Sequence, residues 1–192
     1  MRRSFPLLAT IGLTCLLAGC LVPEKFVASV TMKADGAYTY KYDGTATFLP
    51  AAMQIKGQGP LSEKDEQSLK QEANKMAKVP GIQKASYLGA GRYDLAIERD
   101  LRVGESAPVL KVISVTKDKE GVYTIAPAVL QEKDKAALRD LGIRVDGKFE
   151  VRLPSNAQVI SHNASGTPGL FSKAYVWNVA SIDANPNIRF RL

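Results

Sequence analysis

The chain is 192 residues long, 45% hydrophobic, and carries 26 basic against 19 acidic residues for a net charge of +7. That length supports one domain of usual size with a real core. The positive charge is spread along the chain without a basic cluster interleaved with aromatics, which argues against nucleic acid, and the single histidine excludes a two-histidine metal site.

Residues 1–19 read as an export signal. Arg2 and Arg3 are followed by an apolar run of about thirteen residues, Phe5 to Leu17, and then by Leu17-Ala18-Gly19-Cys20. The run is short for a spanning helix, which needs about 20 apolar residues, and Pro6 and Gly12 interrupt it. Leucine, two small residues and cysteine resemble the lipobox of bacterial lipoproteins. That resemblance implies cleavage before Cys20, diacylglycerol on its thiol and acylation of the new N-terminus, so that the chain is held to a membrane by acyl chains. Leu21 is not the aspartate that retains such proteins at the inner membrane. The expected location is therefore the periplasmic face of the outer membrane, or the plasma membrane exterior in a cell with one membrane.

Residues 20–192 are expected to form a single lipid-anchored domain. Losing Arg2 and Arg3 leaves 24 basic against 19 acidic residues, about +5. Such a surface reads either as a solubility device or as attraction to anionic head groups. Cys15 leaves with the signal and Cys20 is used by lipid, so no disulfide, thiol nucleophile or thiolate metal site is expected.

Phe26 to Met32 alternates as a strand, Asp35-Gly36 signals a turn, and "AYTYKYDGTATF" places Tyr38, Tyr40, Tyr42, Ala46 and Phe48 on one face of a second strand. The stretch from Pro50 to Pro60 reads as a loop. Ser62, with Asp65 three residues on, reads as the N-cap of a helix with a thin apolar stripe (Leu61, Leu69, Ala73, Met76) that Pro80-Gly81 ends. Strands follow at Ile82 to Leu88 and Arg92 to Val103, turning at Gly89-Ala90-Gly91, then a hairpin turning near Asp118 to Gly121. "EKDKAALRDLG" is a second helix closed by Gly142. Lys148 to Leu153, Ala157 to Asn163, Ala174 to Ser181 and Ile188 to Arg191 complete the strands. The expected class is α+β: a curved, mainly antiparallel, partly barrel-like sheet with about two helices.

"GKFEVRLPSNAQVISHNASG" followed by "AYVWNVAS" resembles the closing segment of the LppM-like lipoprotein domain. Phe149, Leu153, Pro154, Val159, Asn163, Gly166 and Trp177 carry the resemblance, and "GCLVPEKFVASVTMKADG" is similar to that family's start. It covers about a third of the chain and implies an α+β domain with an apolar cavity, associated with lipid or glycolipid handling.

Few residues suggest chemistry. Ser161 directly precedes His162 on a strand, so the two point to opposite faces, and with Asp183 they make a poor triad. Asp94 and Glu98 share a strand face, as residues on a solvated side routinely do. No catalytic residue, metal or cofactor is expected. For an apolar ligand such as a lipid or glycolipid, Tyr38, Tyr40, Tyr42 and Trp177 are the candidate contacts, equally readable as plain core. Lys41, Arg189 and Arg191 are candidates for anionic groups. The leading expectation is a non-catalytic envelope protein binding such a ligand near the membrane. The alternatives are a protein that acts only by binding an envelope protein partner and, more distantly, a hydrolase using His162.

Overall fold

The structure is a computed structural model describing residues 21–192 except 108, 111 and 171. Cys20 and residues 1–19, expected as an export signal, lie outside the described residues.

β1 (Leu21–Met32) and β2 (Tyr38–Phe48) form the expected antiparallel hairpin around Asp35-Gly36, where the Asp35 carboxylate accepts the Ala37 N–H at 3.0 Å. β1 starts five residues earlier than the alternation suggests. A bulge between Pro23 and Phe26 lets the proline sit in the strand without breaking the ladder on either side. The segment expected as a loop is instead a helix, α1 (Leu49–Gln58), with Pro50 in its first turn, where a missing N–H costs nothing. It lacks an amphipathic stripe to announce it. It is seated by Ala51, whose Cβ would lie 2.4 Å from any Cβ built at Gly91.

α2 (Glu63–Met76) begins as expected. The Ser62 hydroxyl accepts the Asp65 N–H at 3.2 Å and donates to the Asp65 carboxylate at 2.8 Å, and these hydrogen bonds from Ser62 hold that carboxyl below its usual range. β3 (Ile82–Gly89) and β4 (Arg92–Leu101) form the next hairpin, β5 (Ile113–Lys117) and β6 (Tyr123–Pro127) the one after. α3 (Glu132–Asp140), β7 (Asp146–Arg152), β8 (Gln158–His162), β9 (Tyr175–Val179) and β10 (Ile188–Arg191) complete the chain.

The class is α+β, with three helices rather than two, and the strands do not close into a barrel. They form two open sheets, ordered β3-β4-β2-β1-β7-β9 and β5-β6-β10-β8. Every strand pair is antiparallel except β1 with β7.

One continuous core joins the sheets. The large sheet contributes Val30, Tyr40, Leu95 and Val151, the small one Val115, Ile125, Ile188 and Phe190, and α2 adds Ala73 and Met76. The outer face of the large sheet is a ladder of ion pairs, among them Lys33–Asp100 (2.9 Å), Lys41–Glu98 (2.8 Å) and Lys84–Asp94. Glu150 sits there between Lys148 (2.8 Å) and Arg152 (2.6 Å); the hydrogen bond from Lys148, with the Arg152 charge adding to it, holds its carboxyl below the usual range.

Candidate functional site

Strand register decides which residues meet at each end of this sandwich. Leu21 pairs with Phe48, Thr47 with Arg92, Lys25 with Asp146 and Gly147 with Val179. The start of β1 therefore lies with the end of β2, the β3–β4 turn, the start of β7 and the end of β9. The small sheet turns its Ile113–Pro127 pair toward the same end, whereas Tyr123, four register positions away, reaches the β1–β2 turn at Gly36.

Between the sheets at this end lies a cavity of about 270 Å³. β1 supplies Leu21, Val22, Pro23, Phe26 and Ala28. Val145, Phe149 and Val179 form the wall beside it, and Leu138 of α3 with Ile182 closes one side. Val112, Ile113, Pro127, Ala128 and Leu130 of the small sheet and its flanks form the opposite wall. Of the eighteen lining residues only Ser181 has a polar side chain and none is charged. The Ser181 hydroxyl is already engaged, accepting the Asp183 N–H at 3.1 Å and donating to its carboxylate at 3.2 Å. Such a lining desolvates apolar groups at no polar cost.

Phe26 shapes the wall. On β1 it is paired with Gly44 of β2 on one side and Gly147 of β7 on the other. Its ring stacks on Tyr42 (centroids 5.6 Å apart, 18° between planes) and lies where a Cβ on Gly147 would come within 2.5 Å. Only glycine leaves that space to the ring.

At the rim, the α3 guanidinium of Arg139 donates to both carboxylate oxygens of Asp183 (2.7 and 2.8 Å), with Lys135 at 3.5 Å. Arg139 holds the Asp183 carboxyl below its usual range. Asp183 of this ion cluster lies between two residues of the cavity lining, Ile182 and Ala184.

The structure separates the residues that the sequence offers as ligand contacts. Tyr38, Tyr40 and Tyr42 share one face of β2, as alternation predicts, but all three are buried in the core and none lines the cavity. Tyr38 donates to the Glu105 carbonyl at 2.8 Å and Tyr42 to the Thr45 carbonyl at 2.9 Å, while the Tyr40 hydroxyl meets no partner among the described residues. Trp177 packs on Phe149, one of the cavity's walls (centroids 5.5 Å apart), and is not itself among the lining residues. Its Nε1–H donates to Asn163 Oδ1 at 2.7 Å, an oxygen that also accepts the Asn187 N–H at 2.8 Å, so Asn163 fastens β9 to the end of the small sheet.

Lys41 lies on the outer face of the large sheet, paired to Glu98, and Arg189 and Arg191 are exposed on the outer face of the small one. The three cations thus occupy opposite sides of the molecule, away from the cavity. His162 is exposed, its Nδ1 accepting the Ala164 N–H at 3.2 Å and its ring 4.9 Å from that of Tyr175, while Asp183 is occupied by Arg139. The triad arrangement is not formed.

Comparison with known proteins adds little beyond outline. Among the solved structures that the chain resembles is one of a mycobacterial protein. This is the NMR structure of the folded domain of Mycobacterium tuberculosis LppM, with 16% sequence identity, a TM-score of 0.44, and coverage of 88% of this chain and 89% of that one. No protein-family model matches the chain, and no curated protein sequence does.

The residues that line the cavity are what sequence reasoning missed, since none of the aromatic candidates is among them. Their signal was faint: Leu21-Val22-Pro23 continues the apolar character of the first strand past the point where alternation begins. Among the described residues no helix is long and apolar enough to cross a membrane, and no cluster of three or more metal-ligating side chains occurs.

Proposed function

We propose that the protein is a non-catalytic, lipid-anchored envelope protein that takes the acyl chain of a lipid or glycolipid into the cavity between its sheets. The single observation that carries this reading is the lining: eighteen residues with one self-satisfied hydroxyl and no charge. The volume of about 270 Å³ lies at the lower edge of ordinary ligand pockets and suits one chain better than a bulky ring system. Each buried methylene contributes about 0.8 kcal/mol. The polar head of such a ligand would meet the Arg139–Asp183–Lys135 cluster at the rim. Cys20, as the lipidated residue of an outer-membrane lipoprotein facing the periplasm, would keep this cavity beside its source of ligand.

Ala128 lines the cavity and is exposed, so Ala128→Trp fills the mouth without disturbing the core. In a displacement titration with a fluorescent polyene fatty acid, this variant is expected to bind about tenfold more weakly, equivalent to losing roughly two buried methylenes. Lys41→Ala, on the far face, is expected to bind as the parent chain does. Unchanged affinity in the tryptophan variant would remove the cavity from the account.

A second reading, a protein acting only through an envelope protein partner, draws on β8. It is an edge strand of the small sheet, with Ile160 exposed and its outer backbone edge open to strand addition.

A further inference from the structure

Exposed apolar side chains are not scattered evenly over this molecule. Seven large ones are exposed among the described residues: Val27, Met53, Leu88, Val129, Leu130, Ile160 and Leu170. Four of them, Met53, Leu88, Val129 and Leu130, belong to the end of the sandwich that holds the cavity. Met53 is on α1, which leaves β2 at Phe48 and packs Ala51 against Gly91. Leu88 is the penultimate residue of β3, just before the turn at Gly91, and Val129 and Leu130 continue from Pro127 toward α3. The contact of the Lys56 ammonium with Asp140 joins α1 to α3 across this end.

The described chain begins at the same end. Leu21 is 6% exposed and forms part of the cavity wall, and the residue before it in sequence is Cys20. With acyl groups on Cys20, as the lipobox resemblance implies, the membrane-bound part joins the fold here. Attachment point, exposed apolar side chains and cavity mouth therefore coincide at one end out of several available surfaces.

We propose that this end is a membrane seat. Met53, Leu88, Val129 and Leu130 enter the boundary between head groups and acyl chains, and the cavity mouth at Ala128 and Leu130 opens onto the bilayer. An acyl chain then passes from bilayer to cavity without crossing water. Several charged side chains around the seat are paired, Arg92 with Glu24, Lys56 with Asp140, Arg139 and Lys135 with Asp183. Apolar contact rather than net positive charge carries the seat, so added salt has little effect on it.

The inference rests on the cavity-binding reading above, and its test is independent of it. The full chain is produced in a bacterial envelope, and its intact mass is recorded first. Single variants Val129→Cys, Leu88→Cys and Leu170→Cys are labelled with an environment-sensitive fluorophore. Leu170 is at the opposite end, beside the loop that meets Leu153 and Pro154. Each labelled protein is reconstituted into phosphatidylethanolamine–phosphatidylglycerol vesicles with brominated acyl chains, with the unlabelled parent as blank. Labels at 129 and 88 are expected to be quenched about threefold more strongly than the label at 170, as for probes ~5–10 Å below the head groups against one in water.

Equal quenching at all three positions overturns the seat, as does a label at 129 that is shielded before vesicles are added, which would mean a protein covers that end. The intact mass separately shows whether Cys20 carries lipid. Loss of fatty-acid displacement with the quenching pattern intact would remove the cavity reading alone.

Discussion

At the scale of single residues, glycine does more here than any polar group. Gly44 has φ +154°, and a Cβ there would lie 2.2 Å from the Lys25 carbonyl and 2.6 Å from the Phe26 Cα. Both obstacles are backbone of the bulged part of β1, which cannot move without opening the ladder beside the cavity. Gly44→Ala is therefore expected to cost about 3–4 kcal/mol, at the high end of single substitutions, read as a lowered urea midpoint with an unchanged slope. A cost under about 1 kcal/mol would show that β1 yields at the bulge. The sequence placed a glycine on β2 but not its consequence, because the clash depends on which residue of β1 stands opposite. The same applies to Phe26, whose two glycine neighbours come from strands about a hundred residues apart in sequence.

At the scale of elements, β2 shows what alternation reveals and where it stops. Tyr38, Tyr40 and Tyr42 on one face were legible from spacing alone. Whether that face met solvent, a ligand or a second sheet was not, since the covering residues belong to β5, β6 and β10 and to α2. The structure makes the stripe core, and burial raises each phenol's pKa: to about 12 for Tyr38, where Glu105 adds to the effect, and higher for Tyr40 and Tyr42.

In the unfolded chain these groups ionise near pH 10, while in the fold they remain protonated. Above pH 10 the unfolded state has therefore released protons that the native state still holds, so raising pH favours unfolding. Stability is expected to be unaffected by these tyrosines below pH 10 and to fall between pH 10 and 12, by up to about 1.4 kcal/mol per pH unit for each tyrosine. Urea midpoints across that range, followed with phenolate absorbance, check it. Phenolate appearing near pH 10 without loss of structure would mean that the stripe is solvated.

The helices divide in the same way. α2 announced itself through Ser62 and a spaced apolar stripe. α1 did not, since Pro50, Gly57 and Gly59 resemble a loop, and its seating on Gly91 is a tertiary contact.

At the scale of the whole molecule, two open sheets sharing a core leave their ends to be closed by whatever the chain provides. One end is filled by Gly36 and Tyr123, whose ring stacks on Phe190 with centroids 5.4 Å apart. The other is closed only in part by α1 and α3, and the space left over is the cavity. Its walls come from β1, β7, β9, α3 and both ends of the β5–β6 hairpin, each of which reads in sequence as an ordinary strand or turn. The parallel pairing of β1 with β7, across more than a hundred residues of intervening chain, brings half of those walls together and has no local signature. The α+β class was legible because it sums local patterns; the site was not, because it exists only in their arrangement.

The claim that this space holds an acyl chain is tested most directly by native mass spectrometry of the protein released from bacterial envelopes without detergent. The account predicts one acyl-bearing molecule bound non-covalently per chain, at lower occupancy in Ala128→Trp prepared in parallel. A clean apo mass for the parent chain would contradict it and leave the sandwich as a scaffold for a protein partner.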